Sequence, residues 1–486
     1  MFLLNVLVSR VTSRHSSSRS AGFQQQACEH VSGSQRIFLE CTQTFFAGGN
    51  SGIQRVTRNL VNQSLALNLG HFEVVPVAWA GDGFSRVTRP LRIRSHYIYK
   101  AYCLLYQLRC QGRPADQQPS AGAANIASGL QAAAKPSTEL ALVQAWLRQL
   151  TRPFLNWFIR ANVGLPVRLR PNDIFILLDS TWAVPPMLDY VFAARQQIGI
   201  KVGAMVYDLF PLTHPEICEL NTTAGYCSWF QRVLPFCDFA ITISQSTKSI
   251  LLAYLASQTG LRSAPLPCAP FTLGATLDTI RPRKKDHGLL DQIWSMPGQA
   301  MLALGTIEPR KNYRSILDAY DVLRARGLDV SLIVIGKKGW MSADLMARLA
   351  RHPDFGSRLI YLANASDYVV ANAFRRSDCL VCASLAEGFG LPLVEGLMHG
   401  CHVIASDIEV FREVGGAECQ FFSLHDPEDL PNQLEAWFRI QCSSDQRFNQ
   451  VAPHRPDWSE STHEFLDRVL QLAAPLDSYS GLEQPW

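Results

Sequence analysis

Two glutamates eight residues apart bracket a glycine turn in Glu387-Gly-Phe-Gly-Leu-Pro-Leu-Val-Glu395-Gly396. Gly388 and Gly390 let the backbone come close to a ligand, and Pro392 suits the first turn of a helix. A helix start there offers unpaired N–H groups and partial positive charge, which favour phosphate. One carboxylate on the loop and one inside the helix can accept hydrogen bonds from separate hydroxyls of one polyhydroxylated ligand. A second segment, Gly305-Thr-Ile-Glu-Pro-Arg310-Lys311-Asn312, holds two adjacent cations able to neutralise a diphosphate. Its plain alternative is a solvated basic turn, and the neighbouring acidic motif decides against that.

The elements that position these residues follow from hydrophobic periodicity. Short apolar runs are expected as strands at Ile37 to Cys41, Phe72 to Trp79, Asp173 to Asp179, Lys201 to Asp208 and Phe239 to Ser244. Thr42 to Gly52 reads as a Gly-rich loop and Ile53 to Asn68 as a helix with Ile53, Val56, Leu60 and Leu67 as its stripe. A second series begins with strand Met301 to Ile307 and a helix capped by Asn312, ended by Gly327 and striped by Ile316, Leu317, Tyr320 and Leu323. Strands Val330 to Gly336, Arg358 to Ala363, Asp378 to Ser384 and Cys401 to Ser406 follow, alternating with helices. Such alternation predicts an α/β chain with two parallel sheets, each covered on both faces. Ligands bind beyond the carboxyl ends of such strands, which here finish in Asp179, Asp208, Ser244, Gly305-Thr306, Gly336 and Ser384.

The length of 486 residues allows two to four domains at about 100–200 residues each. A net charge of +4 is too mild for a chain whose task is to neutralise nucleic acid. No run of 18 apolar residues is present, which excludes a membrane-spanning protein. Thirteen cysteines without framework spacing point to reduced thiols in a cytosol-like compartment. Cys379 and Cys382 form a C-x-x-C, but three residues apart on a strand they face opposite ways, so neither metal nor redox pairing is expected. Residues 1–35 read as a disordered leader, an over-long start or, from their Arg/Ser character, an organellar presequence. Residues 111–136 read as a loop insertion. Around it, Gly83 to Pro114 and Ala141 to Arg170 are basic, free of acids and rich in aromatics, which suits either an anionic lipid surface or an ordinary basic surface over a core.

At these residues the chain resembles a known family. Gly305 to Asn312 and Glu387-x7-Glu395 are similar to the donor half of the retaining family-4 glycosyltransferases (glycosyl transferases group 1), which have the GT-B fold. Tyr207-Asp-Leu-Phe-Pro-Leu-Thr-His-Pro-Glu216, Ile243-Ser-Gln-Ser246 and Gly48-Gly-Asn-Ser-Gly-Ile-Gln-Arg55 are similar to the acceptor half. The resemblance spans residues 36–440. It implies two Rossmann-like domains across a cleft, 36–275 on the acceptor side and 290–450 on the nucleotide-sugar side, with a C-terminal helix and tail at 451–486. It also implies that Lys311 contacts the diphosphate, Glu387 faces the transferred sugar and Glu395 holds the ribose hydroxyls. Gly305, Thr306, Arg310, Gly388, Phe389, Gly390 and Leu391 complete the expected donor site, and Gly49, Ser51, Gly52 and Ser244 the acceptor side. Asp208, Glu387 and Lys311 are the expected catalytic set.

Two departures stand out. Thr306 replaces an arginine found in many members, leaving Arg310 as a substitute cation. Tyr207-Asp208 occupies the region where many members have a histidine, so Asp208 is the candidate for contact with sugar or acceptor, and His214 is assigned to the rim. No D-x-D is present, so no metal clamp and no cofactor are expected. The family precedent is front-face displacement with retention. Similarity to bacterial mannosyltransferases of surface-polysaccharide assembly suggests GDP-mannose as donor and a saccharide or lipid-linked saccharide as acceptor. The expected place is the cytoplasm, with peripheral contact at the inner membrane face as an option. A glycoside hydrolase using Glu387 and Glu395 would leave Lys311 without a purpose. A nicotinamide enzyme would need G-x-G-x-x-G, which is missing. A non-catalytic GT-B sugar-binding or scaffold protein remains the alternative, favoured by Thr306.

Overall fold

The computed structural model describes residues 35–67, 72–93, 164–258, 260–262, 264–277, 282–284, 286–443 and 454–474. The leader, the insertion at 111–136, most of both basic aromatic segments and the end of the tail lie outside them.

The first apolar series forms strands β1 (Gln35–Glu40), β2 (Phe72–Trp79), β3 (Phe84–Arg86), β4 (Pro166–Val167), β5 (Ile174–Leu177), β6 (Lys201–Val206), β7 (Phe239–Thr242) and β8 (Cys268–Pro270). Their order is β4-β3-β2-β1-β5-β6-β7-β8. From β2 to β8 neighbours are parallel, whereas β3 and β4 add an antiparallel edge. The second series, β9 (Gln299–Leu304), β10 (Val330–Ile335), β11 (Leu359–Leu362), β12 (Cys379–Cys382), β13 (His402–Ser406) and β14 (Cys419–Phe422), is parallel throughout in the order β11-β10-β9-β12-β13-β14. Chain order reverses at β9, between β10 and β12, so the crevice of a switch point opens above its carboxyl end.

Burial explains the strands. All six residues of β10 and all four of β5, β7 and β12 are buried, as expected of parallel strands covered on both faces. Cys379 and Cys382 enter two different hydrophobic clusters, in keeping with opposite faces of β12. Cys41, Cys218, Cys227, Cys237, Cys268, Cys379, Cys382, Cys401 and Cys419 are free thiols.

Two expectations change. Thr42–Ala47, read as loop, is a short helix whose Thr42, Thr44, Phe45 and Phe46 are buried, and only Gly48 in a left-handed conformation ends it. Asn312 precedes the helix Tyr313–Ala325 but does not cap it through its side chain. It sits at φ 50°, and its Oδ1 accepts from Ser315 Oγ at 2.9 Å. The C-terminal helix Trp458–Ala473 packs on the first half, where Trp458 Nε1 donates to Thr276 O at 3.2 Å and Phe465 meets Phe271 with ring centroids 5.2 Å apart. Among the described residues no helix is long and apolar enough to cross a membrane.

Candidate active site

The carboxyl ends of both sheets open on a common cavity of about 710 Å³, within the range of small-molecule sites. Its donor-side wall includes Gly305, Thr306, Arg310, Lys311, Glu387, Gly388, Phe389, Gly390, Leu391 and Glu395. The opposite wall includes Ser51, Gly52, Arg55, Tyr207 and Asp208. Lys311 and both glutamates therefore share one space.

Backbone geometry brings them together. After β9 the chain turns at Gly305, whose φ of 136° is open to glycine, with the Lys311 side chain against it. Pro309–Lys311 then form a 3-10 turn, and Leu385 N donates to Arg310 O at 2.8 Å, tying this loop to the one after β12. Gly388 has another reason to be glycine. A Cβ there would lie 2.1 Å from Tyr207 O, so only glycine lets this turn approach the first half so closely.

Glu387 is the centre of the charge arrangement. Its Oε1 accepts from Lys311 Nζ, and from Ser384 Oγ at 2.7 Å. Its Oε2 pairs with Arg310 Nη1 at 2.7 Å. Burial alone would raise its pKa, but Arg310 and Lys311 overcome that and hold the carboxyl at about 2. Arg310 is fully engaged: Glu308 Oε1 accepts from its Nη2 at 2.7 Å, Ala386 O accepts from its Nη1 at 2.9 Å, and it stacks over Phe210 at 4.9 Å. The guanidinium expected to substitute for the missing arginine is thus a brace for Glu387 and its loop, while Thr306 does line the cavity.

Asp208 stands half-buried beyond the end of β6, and burial raises its carboxyl to about 6, with Arg310 opposing and Glu387 and Glu308 adding. Tyr226 Oη fixes its backbone by donating to Asp208 O at 2.5 Å. Glu395, in the helix Leu391–Met398, is raised to about 7 by burial, against the pull of Arg55 and with Asp367 adding. Its partner is unexpected: Arg55 Nη1, from the helix Gly52–Ala66 in the first half, pairs with Glu395 Oε1. Sequence reading quoted Arg55 at the end of the Gly-rich motif without a role.

Two acceptor-side candidates have other duties. Ser244 is buried away from the cavity wall, where its Oγ caps the helix Gln245–Ser257 and donates to Gly388 O at 2.7 Å. Gly49 also lies off the wall; its carbonyl accepts from Arg58 Nη1 at 3.0 Å, and a Cβ would meet Gln54 Oε1 at 2.2 Å. Ser51 lines the cavity and forms a reciprocal capping box with Gln54. His214 lines a separate, smaller pocket with Asp208 and Glu387. Behind the Gly-rich segment lies a pair that sequence reading missed. Glu40 and Asp179 are both buried and raised, Glu40 by burial and then by Asp179, and Asp179 chiefly by burial. They accept from Thr42 N at 2.7 Å and Thr44 N at 2.5 Å, which anchors the short helix.

Two largely parallel sheets whose carboxyl ends open on one cavity define the GT-B architecture. Residues 295–455 match the family described as Glycosyl transferases group 1. The chain is similar to the serotype-specific mannosyltransferase WbdA of Escherichia coli, at 30% identity over 322 residues, 64% of this chain and 38% of that protein. Against another such protein from E. coli the identity is 26% over 483 residues, 95% of this chain and 56% of the relative. It thus spans about half the length of these relatives or less. The phosphatidyl-myo-inositol mannosyltransferase of Mycolicibacterium smegmatis is 32% identical over 181 residues, covering 36% of this chain and 45% of that one. In fold the chain is similar to the N-terminal domain of Candida albicans trehalose-6-phosphate phosphatase, with a TM-score of 0.54, 13% identity and coverage of 94% and 99%.

Proposed function

We propose that the chain is a retaining glycosyltransferase that moves mannose from GDP-mannose to a saccharide or lipid-linked saccharide in polysaccharide assembly. The observation that carries the reading is the grouping of Lys311, Glu387 and Glu395 on one wall of one cavity, opposite Asp208. Lys311 would meet the charge that develops on the departing diphosphate, aided by backbone N–H groups at the Gly390-Leu391 helix start. Glu387, kept ionised by its cations, would accept from a sugar hydroxyl, and Glu395 from the ribose. The bond from C1 to the diphosphate oxygen breaks as the acceptor oxygen bonds to C1 on the same face. The acceptor proton passes to the leaving phosphate oxygen, so no metal or cofactor enters the step. Asp208 would orient the acceptor hydroxyl. The similarity to named mannosyltransferases supports the choice of sugar. Calorimetric titration with GDP, UDP and ADP tests the donor: preference for GDP is expected, and tighter binding of UDP or ADP would refute GDP-mannose.

The scaffold alternative draws on Thr306 and on the engagement of Arg310. Glu387→Ala separates the two, because transfer collapses in an enzyme while a scaffold's partner binding is unaffected.

A further inference from the structure

Glu395 stands where the donor-site reading places the ribose diol, yet its carboxylate already has a partner from the other half of the molecule. The Arg55–Glu395 pair is 13% and 2% exposed at its two side chains, and both residues line the cavity. Arg55 Nη2 also reaches Thr276 O at 3.4 Å. A carboxylate that grips both hydroxyls of a cis diol uses both oxygens, and Arg55 occupies Oε1.

We propose that Arg55 is a donor-site positioning residue: it holds Glu395 in the empty cleft and yields that carboxylate to the ribose diol when nucleotide enters. This rests on the donor-site reading above. Releasing a largely covered guanidinium without a counter-charge would be costly. Here the entering ligand brings one, since a diphosphate is anionic and position 306 offers only threonine. Of the cations lining the cavity, Arg310 and Lys311 already share Glu387, while Lys337 and Arg283 also line it, so Arg55 would add to the charge that meets the diphosphate and not supply it alone. The exchange therefore conserves charge pairing: carboxylate passes from arginine to diol, and arginine from carboxylate to phosphate.

A consequence follows for the two halves. Arg55–Glu395 is one of several ties between them, beside Ser244 and Thr247 on Gly388 O, Gln245 N and Ser246 N on Glu413, and Trp340 Nε1 on Ile217 O. Ribose binding undoes this one tie and leaves the rest, so the first half registers the nucleotide through Arg55.

The experiment compares GDP with 2′,3′-dideoxy-GDP by calorimetry on the full chain, wild type and Arg55→Gln. The readout is the ratio of the two dissociation constants within each protein, because Arg55 also faces the phosphate and a single Kd mixes both effects. With the competitor removed, the preference for the intact diol should rise about three- to tenfold in Arg55→Gln, the size of a freed hydrogen bond to a charged group. A ratio that stays equal or falls, in a wild type that binds GDP, overturns this inference alone. A wild type that binds neither ligand overturns the donor-site reading and this inference with it. A loss of fold stability cancels in the ratio; should Arg55→Gln not fold, the uncharged Arg55→Met replaces it, with the same rise expected and an unchanged ratio decisive against.

Discussion

Replacing Asp208 by Asn isolates the ionisation that the proposed acceptor chemistry depends on. Burial places the Asp208 carboxyl at about 6, whereas Glu387 is held at about 2 and stays ionised across the working range. The ionised Asp208 accepts the stronger, charge-assisted hydrogen bond from the acceptor hydroxyl, and protonation weakens that hold. From a midpoint near 6, its ionised fraction falls about tenfold between pH 7 and pH 5. The assay is kcat/KM for the acceptor at saturating donor, which removes the contribution of Glu395 to donor binding. Wild type should lose about tenfold over that interval, and Asp208→Asn should be slower by about 10²-fold yet flat with pH. A wild-type profile without an acid limb, or a limb that survives in Asp208→Asn, would refute the assignment.

Lys311→Ala should lower kcat by about 10²–10³-fold, the usual cost of losing one stabiliser of developing charge, as read in single-turnover transfer. Gly388→Ala forces a Cβ towards Tyr207 O and should lower the melting temperature and push the halves apart, visible as a larger radius of gyration in solution scattering. The Glu40–Asp179 pair predicts a stability that depends on pH with a definite sign. Both carboxyls are raised in the folded chain, Glu40 to about 8, so the fold binds more protons than the unfolded chain above the ordinary carboxylate range. Their contribution is complete below about pH 4 and is lost as pH rises towards 8. Melting temperatures should decline over that window in wild type, and Glu40→Gln should flatten much of the decline; an equal slope in both would reject the coupling.

Much of the site was legible because its parts are local. A glycine turn, a proline and flanking glutamates lie within ten residues at Glu387 to Gly396, and the strand before them is a plain apolar run. The helix stripe Ile316, Leu317, Tyr320 and Leu323 is buried as its spacing requires. What escaped depends on partners distant in sequence. Arg55 and Glu395 come from different halves, and nothing near either announces the pair. Glu40 and Asp179 each look like an acid at a strand end until the sheet sets β1 beside β5. Thr42–Ala47 is too short and too poor in helix formers to declare itself, and its helix is held by burial and by those two carboxylates. The edge strands β3 and β4 are three and two residues long, below what periodicity can resolve. Ser244 looked like a ligand contact because it follows a strand, but the approach of Gly388 gave its hydroxyl another partner.

The most direct test is to incubate the protein with GDP-mannose and a mannose-terminated oligosaccharide and to read the new anomeric signal by NMR. The account predicts mannosyl transfer with an α-linkage, formed without added metal and abolished by Glu387→Ala. A β-linked product would contradict the front-face mechanism, and transfer that survives Glu387→Ala would contradict the site.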